Sequence, residues 1–464
     1  MLKIIFLLFM GTGMPVAIAM AGSSLVYILA TGNLPPFVVI HRMISGIDSF
    51  PLLAVPFFIL AGNLMNNAGI TTRIYNFALA LVGWMKGGLG HVNVVGSVIF
   101  AGMSGTAIAD AAGLGTIEIK AMEEHGYSKE FAVGVTAASA TLGPIIPPSL
   151  PFVIYGMMSN VSIGALFLAG ILPGVFMALA MMVTVAYYAH KNGWGADVKF
   201  SLPKVIKALV ELGVVMAWPL LMWLLVTKAE LPAQATVIAG LVVLFAADRF
   251  FKFQAVLPIM TPVLLIGGMT TGIFTPTEGA IAACIWAMVL GFAWYRTLKF
   301  KMFIKVCLDT VETTSTVLFI VAAASIFGWM LTATGVTTAI GEWVLGFTKD
   351  PNMFLLMANL LMLFVGCFLE PTAAITILVP ILLPICLKLG VDPIHFGLVM
   401  VLNLMIGLLH PPMGMVLFVL ARVAKLSVER TTMAILPWLV PLLGSLVLIT
   451  YFPKAVLWLP KMFY

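Results

Sequence analysis

Two stretches of this chain set hydroxyl side chains, glycines and prolines into otherwise apolar sequence. The first pairs Ser104-Gly105-Thr106 with Gly143-Pro-Ile-Ile146-Pro147-Pro148-Ser149. The second pairs Gly366 and Glu370-Pro371-Thr372 with Gly407-Leu-Leu-His410-Pro-Pro412-Met413-Gly414. Hydroxyls and backbone carbonyls are hard oxygen donors, a set that suits sodium rather than a transition metal. Glycine weakens a helix through its backbone entropy, and proline lacks the N–H and clashes with the preceding turn. Carbonyls freed by such breaks must find a partner where bulk water is absent, either a bound cation or a facing hairpin tip.

The two stretches are copies of each other. Gly102, Gly126, Gly143, Pro147 and Pro148 recur as Gly366, Gly390, Gly407, Pro411 and Pro412, each 264 positions later. Gly62 and Gly69 recur as Gly328 and Gly335 at an offset of 266, a small loop change. In a membrane protein, paired interruptions in corresponding halves point to discontinuous helices that line a substrate or ion site. The copies differ in chemistry, because Glu370 and His410 stand where the offset places Thr106 and Ile146.

Isolated charges add to this pattern. Glu370 is the single charge between Met353 and Leu387, and Asp110 has a similar setting. A carboxylate there is costly unless it faces a polar cavity or a partner, so both acids are candidates for the ion or substrate site, with structural pairing or helix capping as the alternative. His410 is either a hydrogen-bonding residue that holds its loop or a proton carrier. Thr275-Pro-Thr-Glu278 reads first as a helix start, with Thr275 as cap and Pro276 at the first helical position. Arg422 sits near a segment end, where snorkelling explains it and anchoring a substrate carboxylate is the alternative.

The elements that must position these residues are membrane helices. Of 464 residues 62% are hydrophobic and 9% charged, against roughly a quarter charged in a soluble domain. Residues 131–189 contain no Asp, Glu, Lys or Arg, and because about 20 residues cross the hydrocarbon core, that run crosses more than once. Continuous Leu/Ile/Val/Ala/Met runs lack the period-two alternation of a barrel. The net charge of +6 comes from basic clusters at segment ends, as the positive-inside rule expects, and does not indicate nucleic-acid binding. Cys284, Cys307, Cys367 and Cys386 lack metal-type spacing and read as buried small residues. There is no His-Glu-x-x-His, no phosphate-binding Gly-x-x-x-x-Gly-Lys and no clustered ligand set, so neither ATP hydrolysis by that route nor redox catalysis is indicated, and no cofactor is expected.

The segmentation predicts an all-α polytopic protein in three parts. Residues 1–190 form a first repeat, with scaffold spans near 4–30, 51–67 and 74–85, a hairpin at 91–119, a broken helix at 131–160 and a helix at 165–189. The amino terminus reads as the first membrane helix rather than a cleaved signal. Residues 191–254 form a linker with an inserted pair of spans, Ala208 to Val226 and Ala233 to Ala247, read as peripheral scaffold or oligomer surface. Residues 255–464 form the second repeat, with spans at 255–274, 278–297 and 313–333, a hairpin at 353–388, a broken helix at 394–424 and a last span at 433–452.

At these motifs the sequence resembles the large membrane subunit of tripartite ATP-independent periplasmic transporters. The likeness rests on Phe50-Pro-Leu-Leu-Ala-Val-Pro-Phe-Phe-Ile-Leu-Ala-Gly62, Ser104-Gly-Thr-Ala-Ile-Ala-Asp110, Gly143 to Ser149, Gly272 to Glu278, and His395-Phe-Gly397 through Pro411-Pro-Met-Gly414. The family more often has Ser-Gly-Ser at 104–106 and Thr before the second Pro-Pro pair, and usually lacks the 208–249 insert. The resemblance implies inverted-topology repeats with re-entrant hairpins, an elevator in which hairpins and broken helices move against a static scaffold, and location in the bacterial inner membrane. It further implies sodium-coupled import of an organic acid, with a sialic or other sugar acid favoured and a C4-dicarboxylate as an alternative. A soluble periplasmic binding protein and a small four-helix membrane subunit would be the partners. One sodium site would take Ser104, Gly105 and Thr106 with Gly143, Ile146 and Pro147; the other would take Gly366, Glu370 and Thr372 with Gly407, His410 and Met413. Substrate would lie between them, near Asp110, Thr141, Pro148, Ser149, Pro371, Pro412 and Arg422. A stand-alone ion-coupled di- or tricarboxylate carrier of related fold, and a membrane scaffold or enzyme without transport activity, are the competing readings.

Overall fold

The structure, a computed structural model, describes residues 1–227, 233–251, 253, 255–270, 273–411 and 414–463. It is built of helices; among the described residues the single β-bridge joins Lys86 and Ala196. Six of the described helices are long and apolar enough to cross a membrane, and shorter apolar helices fill the spaces between them.

The duplication appears directly in the geometry. The first hairpin rises as Gly88–Ser104, turns at Gly105 and returns as Ala107–Ala112 and Leu114–Glu124. The second rises as Pro351–Gly366, turns over residues 367–370 and returns as Pro371–Lys388. Each is followed by a left-handed glycine, Gly126 at φ 82° and Gly390 at φ 73°, a conformation that a Cβ would strain. A capped broken helix comes next in each half. Ser128 accepts from the N–H of Phe131 at the start of Lys129–Ala140, and Asp392 accepts from that of Ile394 at the start of Pro393–Gly407. After the breaks the chain resumes as Leu150–Ser159 and as Met415–Ala424.

Scaffold elbows precede the hairpins. Ala54–Asn67 bends at Gly69 into Ile70–Val82, and Phe300–Ala333 bends at Gly335 into Val336–Phe347; both glycines have φ 70°. Gly62 and Gly328 mark where each scaffold helix meets its hairpin. A Cβ on Gly62 would lie 3.1 Å from the Ser104 carbonyl oxygen, and one on Gly328 would lie 3.2 Å from the Pro380 ring. The offset glycines are therefore points of close helix approach, the packing device of membrane bundles.

The two halves interlock. Leu150–Ser159 of the first broken helix packs on the return arm of the second hairpin, and Met415–Ala424 of the second packs on the return arm of the first. The long helices that follow exchange in the same way, Ile163–Asn192 against Pro393–Gly407 and Val428–Tyr451 against Lys129–Ala140. The Tyr155 hydroxyl donates across this seam to the Pro393 carbonyl at 2.7 Å.

Several boundaries differ from the sequence-based expectation. The first apolar span is two helices, Leu2–Gly11 and Val16–Thr31, because Gly13 at φ 79° and Pro15 interrupt it. The span expected from residue 313 starts at Phe300, since Lys301, Lys305, Asp309 and Glu312 lower its hydropathy without opposing the helix. The inserted pair is longer than expected, Leu202–Thr227 and Ala233–Phe251. Leu202–Thr227 packs on Val256–Thr270 and Ile70–Val82, where the buried Glu211 carboxylate accepts the N–H of Ala255 at 3.0 Å. Thr275 and Glu278 form the reciprocal capping box expected of a helix start.

The Gly366–Gly407 crossing yields a stability prediction. A Cβ on Gly407 would lie 2.8 Å from backbone atoms of Gly366, whereas one on Gly346 meets nothing within 4 Å. Gly407→Ala is expected to lower the thermal midpoint of the purified protein, by about 1–3 kcal/mol of overpacking, and Gly346→Ala is not. Equal midpoints for both variants would refute the crossing.

Candidate functional site

The first hairpin tip is pressed into the first helix break. The Leu150 N–H donates to the Gly105 carbonyl at 3.4 Å. A Cβ on Gly105 would lie 2.8 Å from the Pro148 oxygen, and one on Gly143 would lie 2.9 Å from the Thr106 oxygen. Only glycine lets these backbones come so close. Thr106 caps Ala107–Ala112 by accepting from the Ala109 N–H at 3.3 Å. Ser149 caps Leu150–Ser159, accepting from Phe152 at 3.3 Å and donating to the Pro144 carbonyl at 2.5 Å. The Ser104 hydroxyl is buried and has no hydrogen-bond partner among the described residues. Buried polar atoms are normally paired, so a free oxygen at this tip fits a cation ligand. Ile146 packs against Gly174 of Ile163–Asn192, which braces the break from behind.

The second tip is built differently. Gly366 and Gly407 bring the hairpin and the second broken helix into backbone contact. Glu370 caps Pro371–Lys388: its carboxylate accepts the Ala373 N–H at 3.2 Å and the Thr372 hydroxyl at 2.8 Å. His410 turns its ring Nδ1 to the Ile406 carbonyl at 3.0 Å, and its own carbonyl accepts the Gly414 N–H at 3.0 Å. These contacts fit the loop-holding role, one of the two roles left open. Pro412 and Met413 lie outside the described residues.

Both tips open on one cavity of about 600 Å³. Its wall includes Ser104, Gly105 and Thr106 from one tip and Glu370, Pro371 and Thr372 from the other. Pro144, Leu150, Met405, Leu408 and Met415 come from the broken helices, and Gly62, Asn63, Asn66, Thr313 and Val317 from the scaffold. The wall contains the first residues of four helices, Ala107, Leu150, Pro371 and Met415. Helix amino termini carry unpaired N–H groups and positive dipole ends, which favour an anion. The helix that ends at Ser104 also reaches the wall, and a helix carboxyl end favours a cation, whereas the end carbonyls of Ala140 and Gly407 are taken by the N–H groups of Gly143 and His410. Among its described residues the wall holds no Lys, Arg or His, so the backbone supplies the positive field.

Some expected residues lie elsewhere. Asp110 is buried, 2% exposed, on the hairpin face behind the wall. Thr141 donates to the Ala138 carbonyl at 2.6 Å and serves the end of its own helix. Arg422 is exposed in the last turn of Met415–Ala424 and is absent from the wall, as snorkelling predicts. Asn63, Asn66 and Thr313 were not anticipated. Asn63 donates to Thr310 at 3.2 Å and ties the two scaffold helices together, while a Cβ on Gly113 would lie 2.6 Å from Asn66 Oδ1. The available signal was the polar run Gly62-Asn-Leu-Met-Asn-Asn67 inside an apolar helix.

Comparison with known proteins agrees with this geometry. The family described as tripartite ATP-independent periplasmic transporter, DctM component, matches residues 3–455. The sialic acid TRAP transporter large permease protein SiaM of Vibrio cholerae is 41% identical over 97% of this chain and 96% of its own length. The sialic acid TRAP transporter permease protein SiaT of Haemophilus influenzae is 38% identical over 99% of this chain and 68% of its own length. The C4-dicarboxylate TRAP transporter large permease protein DctM of Rhodobacter capsulatus is 32% identical over 97% and 96%. Among solved structures, the crystal structure of the Alcanivorax borkumensis YdaH transporter, described as having an unusual topology, shares the fold. Its TM-score is 0.59 at 14% identity, over 90% of this chain and 88% of that one. Interrupted helices in duplicate, a cavity between them and a match along nearly the whole sequence lead to one conclusion: the chain belongs to the DctM family of large permease components of tripartite ATP-independent periplasmic transporters, and is a multi-pass inner-membrane protein without enzymatic activity.

Proposed function

We propose that this permease imports a sialic acid or a related sugar acid, driven by sodium and moving substrate by an elevator stroke. The observation that carries the reading is the cavity whose wall, among the described residues, holds the first residues of four helices, the Ser104 hydroxyl at the end of a fifth and no basic side chain. That field accepts an organic anion and an alkali cation side by side. Sodium would be held at the Ser104–Thr106 tip, where a buried hydroxyl is free, and at the Glu370–Thr372 tip. The names of the SiaM and SiaT relatives support a sialic acid, and the cavity volume has room for an acid of sugar size. A C4-dicarboxylate is the second reading, supported by the Rhodobacter relative.

The elevator reading draws on the division between scaffold and hairpins. The cavity lies where Ala54–Asn67 and Phe300–Ala333 face both tips, so sliding the interlocked hairpins along these helices would carry the site with them. Inverted orientation of the repeats gives the stroke its two end states. A soluble periplasmic binding protein would deliver substrate, and a small four-helix membrane subunit would complete the scaffold.

Proteoliposomes containing the permease, its small subunit and the binding protein should accumulate sialic acid under an inward sodium gradient. No uptake of any organic acid under that gradient would refute the reading. Ser104→Ala and Thr106→Ala are expected to raise the sodium concentration needed for half-maximal uptake more than they reduce protein abundance; an unchanged requirement in both would remove the first tip from the sodium site. Glu370→Ala should destabilise the purified protein by about 0.5–2 kcal/mol through loss of the cap, with partial recovery in Glu370→Gln, as read by thermal midpoints.

A further inference from the structure

The first hairpin contains a buried polar cluster that the proposed sites do not use. Asp110 and Glu118 lie on its return arm, 2% and 1% exposed, facing Asn93 and Ser97 on the rising arm and Thr136 and Ser139 on the first broken helix. Asn93 donates to Glu118 Oε2 at 2.6 Å and lies 2.8 Å from Thr136 Oγ1, while its own oxygen accepts the Ser139 hydroxyl at 2.7 Å. Ser97, itself 1% exposed, completes this buried polar cluster, which holds both acids inside one hairpin. Asp110 Oδ2 and Glu118 Oε1 have no hydrogen-bond partner among the described residues. No described basic side chain forms an ion pair with either acid.

Comparison with the second hairpin shows that the fold does not require these acids. Ala107 and Glu124 bound the first return arm, and Pro371 and Lys388, each 264 positions later, bound the second. The same offset takes Asp110 to Ala374, Glu118 to Leu382, Asn93 to Met357 and Ser97 to Leu361. The second hairpin is thus held by uncharged groups, Asn403 of its broken helix donating to Asn359 Oδ1 of its rising arm at 2.8 Å, yet the first copy keeps two carboxyls whose burial is costly without a counter-charge.

We propose that Asp110 and Glu118 form a proton-carrying acid pair inside the first hairpin. A proton from hydronium adds to one carboxylate oxygen and leaves water behind, so two buried negative charges become one. Two carboxylates buried in one hairpin without a counter-charge are costly to keep ionised, and protonating one removes part of that cost. Sodium fits less well: Asn93, Ser139 and Thr136 are engaged with one another, which leaves two unpartnered carboxyl oxygens, enough for a proton and few for a cation that needs a shell of oxygen ligands. The other titratable or charged groups on the return arm and the elements packed on it are Lys120, Glu123 and Glu124 on the arm itself, Arg73 and Tyr75 on Ile70–Val82, and the buried His91 on the rising arm. Lys129 and Glu130 start the first broken helix, and the exposed Arg422 ends the second. That the proton crosses the membrane with the hairpin rests on the elevator reading; that the pair holds it does not.

Infrared spectroscopy of the purified protein at neutral pH tests the pair without transport. A carboxylic acid C=O band is expected in the unmodified protein and is lost in Glu118→Gln and in Asp110→Asn. Should those variants fail to fold, Glu118→Leu and Asp110→Ala, the residue types that the second hairpin tolerates, take their place. A spectrum unchanged by all of these substitutions would overturn the proposal. In proteoliposomes loaded with a pH-sensitive dye, sialic acid uptake should acidify the lumen, and Glu118→Gln should abolish that signal while uptake keeps its sodium requirement. Loss of a sodium ion per cycle with no change in the dye signal would assign the pair to sodium and refute the proton. If no uptake occurs, the transport reading fails and the infrared result still decides the pair.

Discussion

A helix that ends inside an apolar environment leaves N–H or C=O groups without partners, and the rest of this structure is arranged around that problem. The first residues of four helices are brought together in the wall of one cavity. Thr106, Ser149 and Glu370 satisfy part of the deficit as caps. The unsatisfied remainder is what a ligand can use. The glycines at these breaks allow one backbone to touch another.

Those breaks explain why so much of the site was legible from residue types. Gly102, Gly143, Gly366 and Gly407 with their prolines forecast two hairpin tips facing two breaks, and the structure brings those segments together. The elbows at Gly69 and Gly335 were marked by the same kind of residue. Breakers announce themselves because few positions tolerate them.

Other features were hidden for equally physical reasons. Asn63 and Asn66 lie on a regular helix, and whether an amide there faces lipid, a neighbour or a cavity depends on rotation about an axis that local sequence does not specify. Phe300–Ala333 was read thirteen residues too short because its first turns carry charge, and hydropathy measures partitioning rather than helicity. Asp110 is expected at the ion or substrate site as an isolated charge in a tip motif, and it stands off the cavity wall, on which Ala109 and Gly113 lie. Periodicity of 3.6 residues separates the faces of a helix only when its phase is known.

The reciprocal packing of broken helices on opposite hairpins has a consequence for the history of the chain. A single repeat would end with Leu150–Ser159 exposed along a face that only another copy's return arm covers. Half of this molecule is therefore not a smaller transporter but an incomplete one, and its minimal working form would have been a pair of identical short chains embracing each other in opposite senses. Joining them into one polypeptide freed each half to change alone. The divergence of Asp110 and Glu118 from Ala374 and Leu382 is the kind of specialisation that two identical subunits, encoded once, could never have acquired.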